Sequence, residues 1–505
     1  MSDNLYAIFR DSFPADRSKP AFIERADRVL SFADLDAAAG RYAALLRRLG
    51  VEPGDRVAVQ TDKSVAAVCL YLGCLQAGAV YLPLNTAYTA DEVSYFLGDA
   101  KPRLFVCRPE SKAALTAVAE AAGVEQVMAL DAAGRGELAE AAAEETPLAE
   151  VAPRGPDDLA AILYTSGTTG RSKGAMITHR NLSSNAAALQ RIWGFVPEDV
   201  LLHALPIFHV HGLFVAINTC LLNGSTMLFL PRFDADEVLR LLPRATVMMG
   251  VPTFYVRLLQ HEGFTAEAAA HMRLFISGSA PLLEETFASF EARTGKRILE
   301  RYGMTEAGMI TSNPYEGERR AGTVGFPLPD VEVRVADDEG RVLPAGEIGV
   351  LEVRGPNVFK GYWQMPEKTA TEFRSDGFFV TGDVAKIDER GYVHIVGRAK
   401  DLIISGGYNV YPKEIELFID ALPGVVESAV IGLPHPDFGE AVTAVVKRRD
   451  GAAVDEAAVL AAAKGHLAGF KTPKRVFFVD ELPRNAMGKV QKAELRRTYA
   501  GTFGG

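Results

Sequence analysis

One run of the chain gathers hydroxyls and glycines in front of a lysine: Tyr164-Thr165-Ser166-Gly167-Thr168-Thr169-Gly170-Arg171-Ser172-Lys173-Gly174. It follows the apolar segment Leu159 to Leu163, which reads as a strand. This composition suits a polyphosphate. Glycines let the main chain approach an anion closely, amides and hydroxyls donate to its oxygens, and Lys173 adds a mobile positive charge. No Gly-Lys-Ser/Thr follows, so the run is not a Walker A loop.

Further segments accompany it downstream: Ala204-Leu205-Pro206 with His209; Ser277-Gly278-Ser279-Ala280-Pro281; Glu300 to Glu306, reading ERYGMTE; Thr381-Gly382-Asp383; Gly397-Arg398 with Lys400-Asp401; and Pro483-Arg484-Asn485 with Gly488-Lys489. In type and order, over nearly the whole chain, these resemble the adenylate-forming superfamily of acyl-CoA synthetases, peptide-synthetase adenylation domains and luciferases. The resemblance implies an ATP-dependent acyl-CoA ligase that makes an acyl-adenylate and passes the acyl group to coenzyme A. ATP would be held by Thr165, Ser166, Gly167, Thr168, Thr169, Gly170 and Lys173 at its phosphates and by Gly278, Ser279 and Ala280 along the adenine. The segment Glu300, Arg301, Tyr302, Gly303 and Met304 would touch the adenylate, Thr305 the α-phosphate, and Glu306 would be the oxygen ligand of Mg2+. Asp383 is similar to the carboxylate that binds the ribose hydroxyls, and Arg398 to a further ribose or phosphate contact.

Attack of a carboxylate on the α-phosphate brings two anions together, so positive charge must be present at the reacting centre. By resemblance Lys489 supplies it during adenylation and then leaves, with Thr305, Glu306 and His209 as its catalytic companions. Thioester formation is expected to follow rotation of a small C-terminal domain about Lys400. Gly406, Gly407 and Tyr408 would then line the path of the CoA thiol. Acetylation of Lys489 by a protein lysine acetyltransferase would remove the charge that adenylation needs. A carrier-protein arm in place of CoA is the alternative acceptor, and a catalytically inactive nucleotide-binding relative is the alternative of another class. Intact Lys173, Glu306, Asp383 and Lys489 speak against the latter.

Two arginines bear on the acid. Arg301 stands inside ERYGMTE, and Arg257 ends VPTFYVR, the expected start of the helix behind the acyl pocket. Guanidinium groups match carboxylates in bidentate geometry, and burying one without a partner costs about 1 to 3 kcal/mol or more. A pair near the reacting carboxyl would clamp the second carboxylate of a small dicarboxylic acid. Malonate fits best, with methylmalonate as a relative. ERYGMTE, VPTFYVR and LPIFHVHG also resemble the malonyl-CoA synthetases in particular. Ser277, Val210 and Met304 are expected to border the acyl group. A ligase for another short-chain or aromatic acid is the enzymatic alternative. His209 and His211 form an H-x-H pair, but no third ligand stands at zinc-like spacing, so His211 reads as a core histidine.

These residues need a layered scaffold. Helical patterns alternate with short apolar strands such as Arg56 to Gln60 and Ala79 to Leu82, and the alternation recurs through residue 310, as in doubly wound α/β layers. The expectation is an α/β protein: a large N-terminal domain of doubly wound sheets, residues 1–399, with a small β-barrel-like subdomain at about 322–395, and a small mobile α+β C-terminal domain at 400–505. A surface helix is expected over Glu137 to Glu150. At 505 residues the chain is too long for one core, and 48% hydrophobic with 23% charged residues is ordinary globular composition. A net charge of −10 argues against a nucleic-acid partner. Four cysteines without a CxxC pair suit a reducing cytoplasm. The most apolar stretch, Val65 to Leu84, is broken by Gly73, Gln76, Gly78 and Pro83, and reads as a buried helix and strand with no membrane partner.

Overall fold

Short apolar strands between capped helices must bury both faces of a sheet. The computed structural model, which describes residues 3–24, 28–165, 172–485 and 488–503, has that layered α/β architecture. Two compact units divide the chain: Met1–Glu332 with Val353–Phe379, and Val333–Glu352 with Val380–Gly505.

Two sheets build the first unit. Among the described residues, one has seven strands in the order Gly361–Tyr362, Lys173–Thr178, Leu159–Thr165, Val80–Pro83, Arg56–Gln60, Leu104–Cys107, Val127–Ala129. Strands Val80–Pro83 and Leu104–Cys107 are buried at every position, as parallel strands between helices must be. At one side the antiparallel pair Leu159–Thr165 and Lys173–Thr178 puts Thr165 opposite Lys173. A β-ladder therefore holds the two ends of the hydroxyl-rich run in register.

The other sheet has nine strands, in the order Phe326–Pro327, Gly308–Ser312, Ile298–Met304, Leu274–Ser277, Val247–Gly250, Val200–His203, Thr226–Phe229, Pro20–Ile23, Val29–Ser31. Its central strands are parallel, with His203 opposite Met249, Gly250 opposite Ser277, and Ser277 opposite Glu300. That register lines up His203, Gly250, Ser277 and Glu300 along the carboxyl ends of the strands, the edge at which open α/β sheets bind ligands.

The apolar stretch forms helix Val65–Ala77 and then strand Val80–Pro83. Ser64 caps the helix by accepting from the Ala67 amide, and Gly78 ends it at φ 78°. Apolar on all sides, the helix is buried. No described helix is long and apolar enough to cross a membrane. Helix Glu137–Ala143 occupies only the first half of the expected surface helix.

In the second unit, strands Tyr408–Val410, Ile403–Ser405, Gly439–Arg448 and Val425–His435 form one sheet, to which Arg475–Val479 adds in parallel. Helices Pro412–Asp420 and Glu456–His466 cover it through Ile415, Ile419 and Val459. The turn-rich segment upstream differs from expectation. Glu332–Ala336, Gly349–Arg354, Phe379–Ile387 and Val393–Arg398 form an open four-stranded sheet rather than a barrel. Four strands are too few to close a packed barrel. The second unit takes in residues 380–399 as well as those from Lys400 onward, because the strands carrying Asp383 and Arg398 pair with each other and group with the C-terminal residues.

Candidate active site

In the first unit, Lys173 opens strand Lys173–Thr178 and is buried. Its ammonium stands 4.2 Å over the Tyr362 ring and 3.7 Å from Glu372. The hydroxyls of Tyr362, at 3.1 Å, and Thr165, at 3.4 Å, donate to the Glu306 carboxylate. Two aromatic residues hold the ends of the hydroxyl-rich run: Tyr95 donates to the Ser172 carbonyl at 2.8 Å, and Tyr164 to Asp99 at 2.5 Å. Ser166, Gly167, Thr168, Thr169 and Gly170 lie outside the described residues.

Thr305 and Glu306 occupy the turn between strands Ile298–Met304 and Gly308–Ser312. Sequence reasoning missed what fixes that turn. Asn185, on the buried face of helix His179–Ile192, accepts from the Met309 amide at 3.0 Å and donates to its carbonyl at 2.8 Å. Asn357 donates to the carbonyls of Ala307 at 2.7 Å and Met309 at 3.1 Å, while the Phe359 amide donates to the Glu306 carbonyl at 2.7 Å. The one advance signal was a buried asparagine pair, Asn181 and Asn185, four apart on a helix.

Strand ends supply the rest of this half. Arg301 is 3% exposed, and its guanidinium lies against Gly278. Neither Nε nor Nη2 of Arg301 has a hydrogen-bond partner among the described residues. Burial pushes this guanidinium down to about 9, and the Tyr255 hydroxyl acts weakly in the other direction. Ser277 Oγ and His211 Nε2 are likewise buried without a partner. His211 Nδ1 lies 3.2 Å from Ser279 Oγ, and Ser279 holds a left-handed φ of 73°. Burial first, and the Arg301 charge second, keep His211 well below the usual imidazole range. Ala280, Tyr302, Gly303 and Met304 are half-buried beside these residues, Val210 is buried, and His209 is half-buried. Glu300 is buried and accepts from the Leu282 amide at 3.0 Å.

Arg257 stands apart from this group. It is exposed on helix Pro252–Gln260, two positions beyond Tyr255, whose fully buried hydroxyl donates to the Ile276 carbonyl at 2.5 Å. Two helical positions turn a side chain through about 200°. Tyr255 therefore faces the interior and Arg257 the solvent, so the structure does not bury Arg257 with Arg301.

The second unit carries its own cluster. Asp383 is 3% exposed and takes the Arg398 guanidinium at 2.9 Å, across the strand pair that sets the two residues opposite each other. Thr381 steadies the turn, donating to the Leu351 carbonyl at 2.7 Å and accepting from the Asp383 amide at 3.0 Å. Lys489 sits in a tight loop in which its amide donates to Asn485 Oδ1 at 2.9 Å and Gly488 takes φ 74°. Its side chain is exposed, yet loss of hydration pushes the ammonium down to about 8; Arg398 and Lys400 add to this, and Asp383 and Asp401 oppose it. Lys400 lies in the short turn Ala399–Asp401, where Arg496 holds Asp401 at 2.6 Å. Gly406 and Gly407, at φ 58° and 82°, make a two-residue hairpin turn, and Tyr408 stacks on Phe470 at 4.6 Å.

Comparison with known proteins accords with this arrangement. A family model described as AMP-binding enzyme matches residues 9–363, and the AMP-binding enzyme C-terminal domain matches residues 414–489. A feruloyl-CoA synthase of Amycolatopsis sp is 39% identical over 474 residues, 93% of this chain and 94% of that protein. A malonate–CoA ligase of Arabidopsis thaliana is 36% identical over 481 residues, 88% and 78% respectively. The crystal structure of ATP-bound MatB from Rhodopseudomonas palustris superposes with a TM-score of 0.98 at 59% identity, over 100% of both chains. On these matches the chain belongs to the AMP-binding, adenylate-forming superfamily and is an acyl-CoA synthetase.

Proposed function

We propose that the acid is malonate and that the products are malonyl-CoA, AMP and pyrophosphate. One observation carries the reading: a buried arginine, Arg301, has two guanidinium nitrogens without partners among the described residues, at the carboxyl edge of the sheet. An unpaired buried cation is destabilising, and a carboxylate on the substrate relieves it. Ferulate, benzoate or a fatty acid has no second carboxylate to do so. Arg301 is then the buried half of the clamp, and exposed Arg257 is a long side chain whose contribution a single mutant measures separately. Methylmalonate, which keeps the second carboxylate, is the next acid in line, with Val210 and Met304 limiting its α-methyl group.

In the first step the malonate carboxylate attacks the α-phosphorus of ATP and pyrophosphate departs. Lys489 neutralises the approaching anions, Thr305 donates to the α-phosphate, and Lys173 holds the outer phosphates. Glu306 fits Mg2+, since a single hydrogen-bonded carboxylate is what that ion asks of a protein when phosphates complete its shell; the ion would offset phosphate charge. Asp383 would accept from the ribose hydroxyls. In the second step the CoA thiol attacks the acyl carbon and AMP leaves. We take Lys400 as the pivot between the steps, the hairpin Gly406, Gly407 and Tyr408 as the lining of the thiol path, and Lys489 as an acetylation site. The four buried free thiols favour a reducing, cytoplasmic setting.

A panel of acetate, malonate, methylmalonate, benzoate and ferulate, scored by CoA-dependent AMP formation, tests the proposal. Malonate should give the highest kcat/KM. Faster turnover of acetate or of an aromatic acid would end it.

A further inference from the structure

A buried contact chain that none of the assignments above uses reaches the acyl side of the first unit. His203 ends strand Val200–His203 and is 1% exposed. Its Nε2 lies 2.8 Å from the Gly212 carbonyl, and its Nδ1 lies 2.8 Å from the Lys63 ammonium. A carbonyl can only accept, so Nε2 carries the hydrogen and Nδ1 offers its lone pair to Lys63. Lys63 also donates to the His203 carbonyl at 2.9 Å and stands 4.2 Å over the Phe229 ring. The Leu230 amide donates to that same carbonyl at 3.0 Å, so His203 is tied to its neighbouring strand as well.

Gly212 shows what the chain holds. A side chain there would overlap the Pro206 carbonyl, so the backbone between Pro206 and Gly212 doubles back on itself. His209 and Val210 stand within that turn, closed by the Leu213 amide on the His209 carbonyl at 3.0 Å and the His211 amide on His209 Nδ1 at 3.4 Å. Beyond it the chain enters a π-helix, His211–Ile217. Such wide turns are rare, so one of this length calls for contacts from outside it. His203 is such a contact: it fastens the base of the turn to a sheet strand, and Lys63 fixes the imidazole's tautomer and orientation.

We propose that Lys63 and His203 are positioning residues for acid binding, and that the Lys63–His203–Gly212 chain sets where His209 and Val210 stand against the acyl group. This rests on His209 and Val210 bordering the acyl group, not on malonate being the acid. The test therefore uses whichever acid the panel finds best, and its failure is distinct from failure of the malonate reading.

Four variants decide it. Lys63→Met and His203→Leu break the chain. Lys63→Arg keeps a cationic donor, and His203→Gln keeps an amide N–H for Gly212 with a carbonyl for Lys63. The first pair should raise KM for the acid by about tenfold or more with KM for ATP within about twofold, and the second pair should restore it to within about threefold. Equal rises in both KM values, as general loosening would give, overturn the proposal, and so does no change in either. If His203→Leu does not fold, Lys63→Met decides alone, since that side chain is only partly buried.

Discussion

The guanidinium of Arg301 fills the space in which a side chain at position 278 would stand: a Cβ added to Gly278 would overlap its Cζ, Nη1 and Nε. Gly278 does not have a left-handed φ, so its need for glycine is one of space and not of backbone strain. Gly278→Ala should therefore act through Arg301, swinging the guanidinium off the carboxylate. The expected loss of malonate kcat/KM is about tenfold or more, and Gly278→Ala with Arg301→Met should be no worse than Arg301→Met alone. Additive losses in that double-mutant cycle would separate the two residues.

Arg301 itself should show opposite effects on activity and stability. Its buried, partly unpaired charge burdens the ligand-free fold, so Arg301→Met is expected to leave Tm unchanged or higher. The same change should cut malonate kcat/KM by about a hundredfold, the scale of a lost charge-assisted pair. A large drop in Tm would show instead that Arg301 is chiefly a structural part. Arg257→Ala, at an exposed position, should leave Tm unaltered, and its effect on KM for malonate measures its share in the clamp.

Lys489 makes adenylation sensitive to alkali. With its ammonium pushed down to about 8, the charged form prevails below that pH and is lost above it. The kcat/KM of adenylation, read by ATP–pyrophosphate exchange at subsaturating substrate, should accordingly fall as pH rises through about 8, while acyl transfer from a preformed adenylate should not follow the same curve. Lys489→Arg keeps its charge at every accessible pH and should abolish the alkaline fall, whatever it does to the absolute rate. A wild-type exchange rate that is flat across this range would remove Lys489 from the reacting charge.

What a short segment does by itself is legible in its own residues. The pair Gly406-Gly407 reads as a turn from its own composition, and both glycines have positive φ. The Gly278–Arg301 contact was not legible: the strand that ends just before Gly278 and the strand that carries Arg301 meet through the pairing of Ser277 with Glu300, a register set by tertiary packing. The outward position of Arg257 was not legible for a related reason, since it follows from the helix phase, two places after buried Tyr255, and not from residue type. The open four-stranded sheet also escaped notice, because turn composition marks strand ends but carries nothing about closure. Lys63 and His203, far apart in sequence, share no motif and gave no signal before the fold joined them.

Asn185 gives the clearest separation of holding from reacting. One side-chain amide serves both the N–H and the carbonyl of Met309, so Asn185→Ala takes the side-chain acceptor from the amide and leaves the carbonyl with Asn357 alone. A buried group left unmet costs about 1 to 3 kcal/mol, and water entering the gap offsets part of that, so a net loss of about 1 to 2 kcal/mol is expected by denaturant unfolding. The same bonds hold the turn carrying Thr305 and Glu306, so KM for ATP should rise and more Mg2+ should be needed for half-maximal rate, with KM for malonate little changed. Asn4→Ala is the control: its amide donates to the buried Leu75 and Ala152 carbonyls, at 2.7 and 2.9 Å, and to no residue of the turn or of the segment that holds it. If both variants lose similar stability but only Asn185→Ala alters the ATP and Mg2+ dependence, the helix acts on the nucleotide through Met309. If the two behave alike in every measurement, the turn is set elsewhere.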